Sequence, residues 1–275
     1  MRRTRSDSRP VQAWDRQHLL LGLAGAAVIA ATAVAGIGLL VVQAVRPLPD
    51  RAGDAPPAGS GTGASTAQVR DQIAAAVMAS VDPAAATRPD PALTPAPTIL
   101  VPDAFNGRGP AGVPVYPHTY EGALGQLAAL DVAALEAMDV VYTGELHRAW
   151  VLPGGPSLDG WDVATNVAAF LRGARQASAK DEATSVTVRP AGGMVKGTDG
   201  PDWVVACVLL DVRATIQTDY RMGWGHCARM QWADGRWQVG PGAPPAAAPS
   251  AWPGSKAAVA AGWLAWATEG GEPNR

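Results

Sequence analysis

Residues 203–232 read WVVACVLLDVRATIQTDYRMGWGHCARMQW. Their first part, 203–213, is apolar and β-branched and is bounded by turn-forming GPD and QTD. Their last part, 221–232, alternates in polarity. Both patterns predict strands, joined as an antiparallel hairpin. Placing Cys207 opposite Cys227 fixes the whole register. Val204 then faces Met230, Ala206 faces Ala228, Val208 faces His226, Leu210 faces Trp224 and Val212 faces Met222. The even positions of both strands form one largely apolar face, and a slip of one residue would send one strand's side chains to the other face.

Opposed residues have Cβ atoms about 4.5–5.5 Å apart, which approaches disulfide geometry. A Cys207–Cys227 disulfide is therefore expected, the alternative being two buried free thiols. Such a bond requires an oxidising compartment, and closing a loop of about 20 residues stabilises by roughly 3 kcal/mol. There is no C-x-x-C spacing that would suggest redox chemistry.

Toward the C-terminus, Asp234-Gly235 between Trp232 and Trp237 predicts a tight hairpin. After Trp252-Pro253-Gly254, residues Val259, Trp263 and Trp266 fit one face of a short terminal helix, 255–267. Residues 269–275 are expected to be a disordered tail. Toward the N-terminus, Val186 and Val188 alternate in a further strand, and GGMVKGT at 192–198 reads as a hairpin turn. That run lacks the G-x-x-x-x-G-K-[ST] order of a phosphate-binding loop.

Helices precede the strands. Thr119 is a suitable N-cap, with Glu121 in the first turn near the positive end of the helix dipole. Leu124, Leu127, Leu135 and Met138 then share one face of a helix over 120–138. A second helix, about 143–151, ends at Pro153-Gly154-Gly155. Ser157 is expected to cap a third, in which Trp161, Ala164, Val167, Ala168 and Leu171 keep a 3.6-residue period. Three helices, about four antiparallel strands and a terminal helix make an α+β domain over 116–268. The helices are expected to cover one face of a curved sheet, as in the cone of nuclear-transport-factor-2-like (NTF2-like) domains.

The first 115 residues differ in kind. Leu19 to Val45 carries no charge, and about 20 apolar residues span a bilayer core as a helix. The run exceeds the roughly 7–15 apolar residues of a cleaved signal peptide, so a membrane anchor is expected. Residues 1–18 form a basic tail with five arginines against two aspartates, a surplus of +3 that leaves −5 for the rest of a chain of net charge −2. The positive-inside rule puts that tail in the cytoplasm and residues 46–275 outside. Residues 46–115 hold 12 of the 24 prolines and are expected to be a tether. Within them Val69, Ile73, Val77 and Val81 suggest a short helix at 67–81, and TILV at 98–101 a short edge strand.

Composition narrows the chemistry. A mildly acidic domain is a poor electrostatic match for nucleic acid, so no direct nucleic-acid binding by the folded part is expected. The histidines, His18, His118, His147 and His226, show no metal-ligand spacing, and no G-x-S-x-G occurs. No catalytic residue, cofactor or metal is expected. Carboxylates Glu121, Asp131, Glu136 and Glu145 lie along the first helices. On the strands, Asp211 and His226 are the positions a catalytic reading would use, but the register points them to opposite faces. His226 shares the apolar face as a possible polar group of the cone cavity.

The stretch 112–263 resembles a family of actinobacterial membrane proteins encoded on integrative conjugative elements. The resemblance rests on GVPVYPHTYEGALGQLAALD (112–131), RAWVLPGGP (148–156), VVAC (204–207) and CARMQWADGRWQVGPGAPPAAAPSAWPGSKAAVAAGW (227–263). In layout, with anchor, tether and outer domain, the chain is similar to the VirB8- and TcpC-type scaffold subunits of type IV secretion channels. The resemblance implies a non-enzymatic assembly subunit of a conjugative DNA-transfer apparatus. Its partners would be the cell membrane, further copies of itself and other transfer proteins. Trp252, Trp263 and Trp266 are the candidate interface residues, since exposed Trp suits an interface; packing onto the domain's own sheet is the alternative. A second function class is a ligand-binding accessory protein of a lipid-uptake or cell-envelope system, which needs an apolar cavity between sheet and helices. A third, an enzyme, needs a polar or charged pair inside the cone.

Overall fold

At the tight turn of the second hairpin, Asp234 and Gly235 adopt φ of 51° and 75°, the left-handed pair that a two-residue hairpin turn requires. The turn joins β4 (Asp219–Ala233) to β5 (Arg236–Val239). The computed structural model of the chain describes residues 65–270. The basic tail 1–18, the apolar run 19–45, the start of the tether and residues 271–275 lie outside them. Among the described residues no helix is long and apolar enough to cross a membrane.

In chain order the remaining elements are α1 (Thr66–Ala75), β1 (Thr98–Val101), α2 (Tyr120–Ala137), α3 (Val140–Trp150), α4 (Asp162–Gly173), β2 (Ser185–Thr198), β3 (Trp203–Thr215), α5 (Lys256–Ala260) and β6 (Leu264–Thr268). The fold is α+β. One six-stranded sheet runs in the order β1-β6-β2-β3-β4-β5. All neighbours are antiparallel except β1 and β6, which are parallel.

The β3–β4 register is the one read from the two cysteines. Cys207 faces Cys227, Val208 faces His226 and Leu210 faces Trp224. The cysteines are joined as a disulfide. The predicted helix start is also found, with the Thr119 hydroxyl accepting the Gly122 amide at 2.9 Å. Leu124, Leu127, Leu135 and Met138 are all buried.

Several expectations are corrected. First, both faces of the sheet are covered, not one. Val204, Ala206, Val208 and Leu210 pack under the helices. Trp203, Val205, Cys207 and Leu209 belong to a second core, with Ala74, Ala251, Ala258 and Trp263. Strands buried on both faces read as continuous apolar runs, which WVVACVLL does.

Second, the folded unit reaches back to α1 instead of starting at 116. Ser65 and Gln68 cap α1 reciprocally, and Arg70 pairs with Asp199 at 2.6 Å. The helix stops at Ala75, so Val77, expected on its apolar stripe, is 94% exposed.

Third, 192–198 is not a turn. It continues β2 through two register shifts, after Pro190 and after Val195. Gly192 and Gly193 leave room there for β6, which pairs with them.

Fourth, the terminal helix is only α5. Ser255 caps it through the Ala258 amide at 3.1 Å. Gly262, at φ 88°, stops it, and the chain continues as β6. Ser157 likewise makes no side-chain cap bond, and the third helix begins only at Asp162.

Candidate functional site

Asp131 is the one acid on the buried side of α2, four residues after Leu127 and four before Leu135. It is 0% exposed. Across the inner core, β4 presents His226 beside its cross-strand partner Val208, on the helix-covered face of the sheet. The two meet, with His226 Nδ1 and Asp131 Oδ2 2.8 Å apart. Two residues before His226, and so on the same face of the strand, Trp224 stacks on the imidazole at 5.1 Å with planes 11° apart. Asp162 and Arg229 line the adjacent space.

Burial pushes the Asp131 carboxyl up, and the opposing pull of His226 only partly offsets this. Burial alone would lower the imidazole, but the charge and hydrogen bond of Asp131 outweigh it and raise it, with a further contribution from Asp162 at the start of α4. Both shifts say that the pair holds a proton firmly. Asp131 Oδ1 has no hydrogen-bond partner among the described residues, and neither does the buried Trp161 indole N–H.

An imidazole oriented by a carboxylate is the base half of many hydrolytic and proton-transfer sites. Here the space beside His226 and Trp161 measures about 20 Å³, enough for roughly one water. A second recess of about 200 Å³ lies between His226, Trp224 and the 245–250 segment. Among the described residues no group of three His, Cys, Asp or Glu could hold a metal.

Asp211, the other strand candidate, points to the opposite face as the register requires. Its carboxylate takes Arg221 at 2.7 and 2.9 Å and Arg213 at 3.2 Å. Together these arginines outweigh burial and lower its pKa. The structure thus separates Asp211 from His226 and supplies Asp131 instead. The signal that could have found this partner was present: Asp131 interrupts a buried stripe of α2.

The other histidines have different partners. His118 stacks on Trp232 at 4.2 Å and pairs with Asp202 at 2.8 Å. His147 lies 2.8 Å from the Pro156 carbonyl. His18 is outside the described residues.

Trp263 and Trp266 are not exposed interface residues, being 3% and 8% exposed. Their spacing of three suggests one helical face, but Trp263, just before β6, and Trp266, within it, enter different cores on the two sides of the sheet. Trp263 enters the outer core and donates to the Pro249 carbonyl at 3.0 Å, and Trp266 enters the inner core. Trp252 is half-buried under the Arg221 guanidinium, 4.4 Å from its ring. Comparison with protein-family models, with curated proteins and with solved structures finds no match to this chain.

Proposed function

We propose that this chain is a non-enzymatic, membrane-anchored assembly subunit of a conjugative DNA-transfer apparatus, with an NTF2-like cone held outside the cytoplasmic membrane. The observation that carries the reading is the filled centre of the cone, around the Asp131–His226 pair. Leu124, Leu127, Leu130, Leu210 and Met230, each at most 1% exposed, occupy the space between helices and sheet. A cone of this kind would need space at the Asp131–His226 pair for a substrate. About 20 Å³ lies beside His226 and Trp161. The recess of about 200 Å³ between His226, Trp224 and 245–250 is still below the roughly 300–1,000 Å³ of small-molecule sites.

The disulfide between the central strands favours the oxidising side of the membrane. The uncharged run 19–45 is long enough for the anchor. The acidic balance of residues 19–275 argues against nucleic acid as a direct partner of the folded domain. Two measurements test the reading. An alkaline phosphatase fused after Arg275 should be active, and a fusion active only as a cytosolic reporter would remove the topology. Deletion of the gene from a conjugative element that carries it should abolish transfer; full transfer in the deletion would remove the assembly role.

A further inference from the structure

Between α2 and the β1–β6–β2 end of the sheet lies a solvent-open cleft of about 670 Å³, within the roughly 300–1,000 Å³ of small-molecule sites. Its inner wall is apolar: Val101 from β1, Val188 from β2, Trp266 from β6 and Val132 from α2. The neighbouring small side chains, Ala129 and Ala133, are what leave it open. Its outer wall is the loop 102–116.

That loop is held off the helix. Gln126, 0% exposed, donates to the Pro114 carbonyl at 3.0 Å and accepts the Tyr116 amide at 3.3 Å. The Tyr142 hydroxyl donates to the Ala111 carbonyl at 2.9 Å, and the Trp150 indole to the Pro110 carbonyl at 3.1 Å. The loop also bonds itself, Phe105 N to Val115 O at 2.8 Å and Gly109 N to Val113 O at 2.7 Å. Two helices thus spend three side chains on loop carbonyls, which fixes the wall in place. A site built in advance lowers the ordering cost of binding.

Charge appears only around the apolar wall. Arg108, Asp103 and Arg189 line the cleft. Arg189 follows the buried Val188 on β2 and stands opposite Asp211, so strand alternation turns its side chain to the other face of the sheet. That leaves Arg108 and Asp103, neither in an ion pair among the described residues, with Arg108 donating to the Gly112 carbonyl at 3.2 Å. The Tyr116 hydroxyl has no hydrogen-bond partner among the described residues, and its ring lies against Gly125. The two charges cancel, which disfavours a plain anion such as a fatty acid. An alkane would leave them both unused.

We infer that this cleft binds one hydrocarbon chain of a zwitterionic amphiphile of the lysophospholipid type, with Arg108 toward the phosphate and Asp103 toward the ammonium group. The inference goes beyond the assembly reading and does not depend on it.

The test uses the full chain in phosphatidylglycerol vesicles and a lysophosphatidylcholine carrying a diazirine at the end of its acyl chain. After illumination, adducts are mapped by peptide mass spectrometry. Adducts are expected within 101–116 and 128–133, and unlabelled lysophosphatidylcholine should compete them away. Ala129→Trp, which fills the cleft, should reduce them about tenfold. Arg108→Glu, a change at an exposed side chain, should do the same, as expected for loss of one charge-assisted hydrogen bond. A cooperative thermal transition by circular dichroism, close to that of the wild type, reports that each variant is folded. Adducts confined to 19–45, or cleft adducts unchanged by both variants, would overturn the site. Equal labelling by a diazirine fatty acid would overturn the zwitterionic assignment.

Discussion

Replacing His226 by Leu should destabilise the domain by about 3–5 kcal/mol, the usual cost of leaving a buried charge without its partner. The reasoning is local. Asp131 is 0% exposed, Oδ2 makes its bond to His226 Nδ1 at 2.8 Å, and Oδ1 has no partner. Without the imidazole the carboxyl must take up a proton or face an apolar core as an anion. For a domain of this size each kcal/mol moves the melting temperature by about 2–4 °C, so a drop of roughly 6–20 °C is expected. Asp131→Asn keeps a hydrogen-bond acceptor for the ring and removes the charge, so its cost should be nearer 1 kcal/mol.

The pH dependence separates the two variants. Both groups are shifted up in the folded state. Between the ordinary carboxylate range and the raised imidazole, the folded chain therefore binds more protons than the unfolded chain. Stability should fall as pH rises across that window. The His226 contribution is present below its ordinary value and is lost as pH rises through the raised one. Thermal unfolding followed by circular dichroism at several pH values measures this for the full chain. A His226→Leu cost below about 1 kcal/mol, with a slope equal to that of the wild type, would refute the picture of a tightly held proton.

Further outcomes follow from other contacts. Cys207→Ala with Cys227→Ala should lower stability by roughly 3 kcal/mol, the value for a loop of about this size, read by urea unfolding. Gly223→Ala should loosen the 240–252 segment, because a Cβ there would stand 1.8 Å from the Ala251 carbonyl oxygen. Hydrogen exchange of that segment should rise, whereas exchange in α2 should not. Trp266→Ala should cost about 3–5 kcal/mol as a core truncation, and a surface-like cost under 0.5 kcal/mol would contradict its burial. Asp211→Asn should remove stability that is present above the ordinary carboxylate range and lost as acid titrates the lowered group. A flatter acid limb in thermal melts is the expected result.

Local rules determined a large share of this protein from sequence alone. The β3–β4 register, the disulfide, the Asp234-Gly235 turn and the Thr119 cap each rest on neighbours in sequence or on a two-residue period, and both cysteines had to face the same way. The β-branched continuity of 203–210 also carried the news that both faces of its strand are buried. The tertiary structure decided what long-range contact alone can decide. Whether 263–268 becomes helix or strand depends on Gly192 and Gly193, some seventy residues earlier, offering an edge to pair with. Whether His226 has a partner depends on where α2 crosses the sheet, which brings Asp131 to it from 95 residues away. The cleft beside α2 exists because side chains from two helices hold a distant loop upright. Such choices lie outside any local window, because their energy comes from packing between segments that the chain itself does not place side by side.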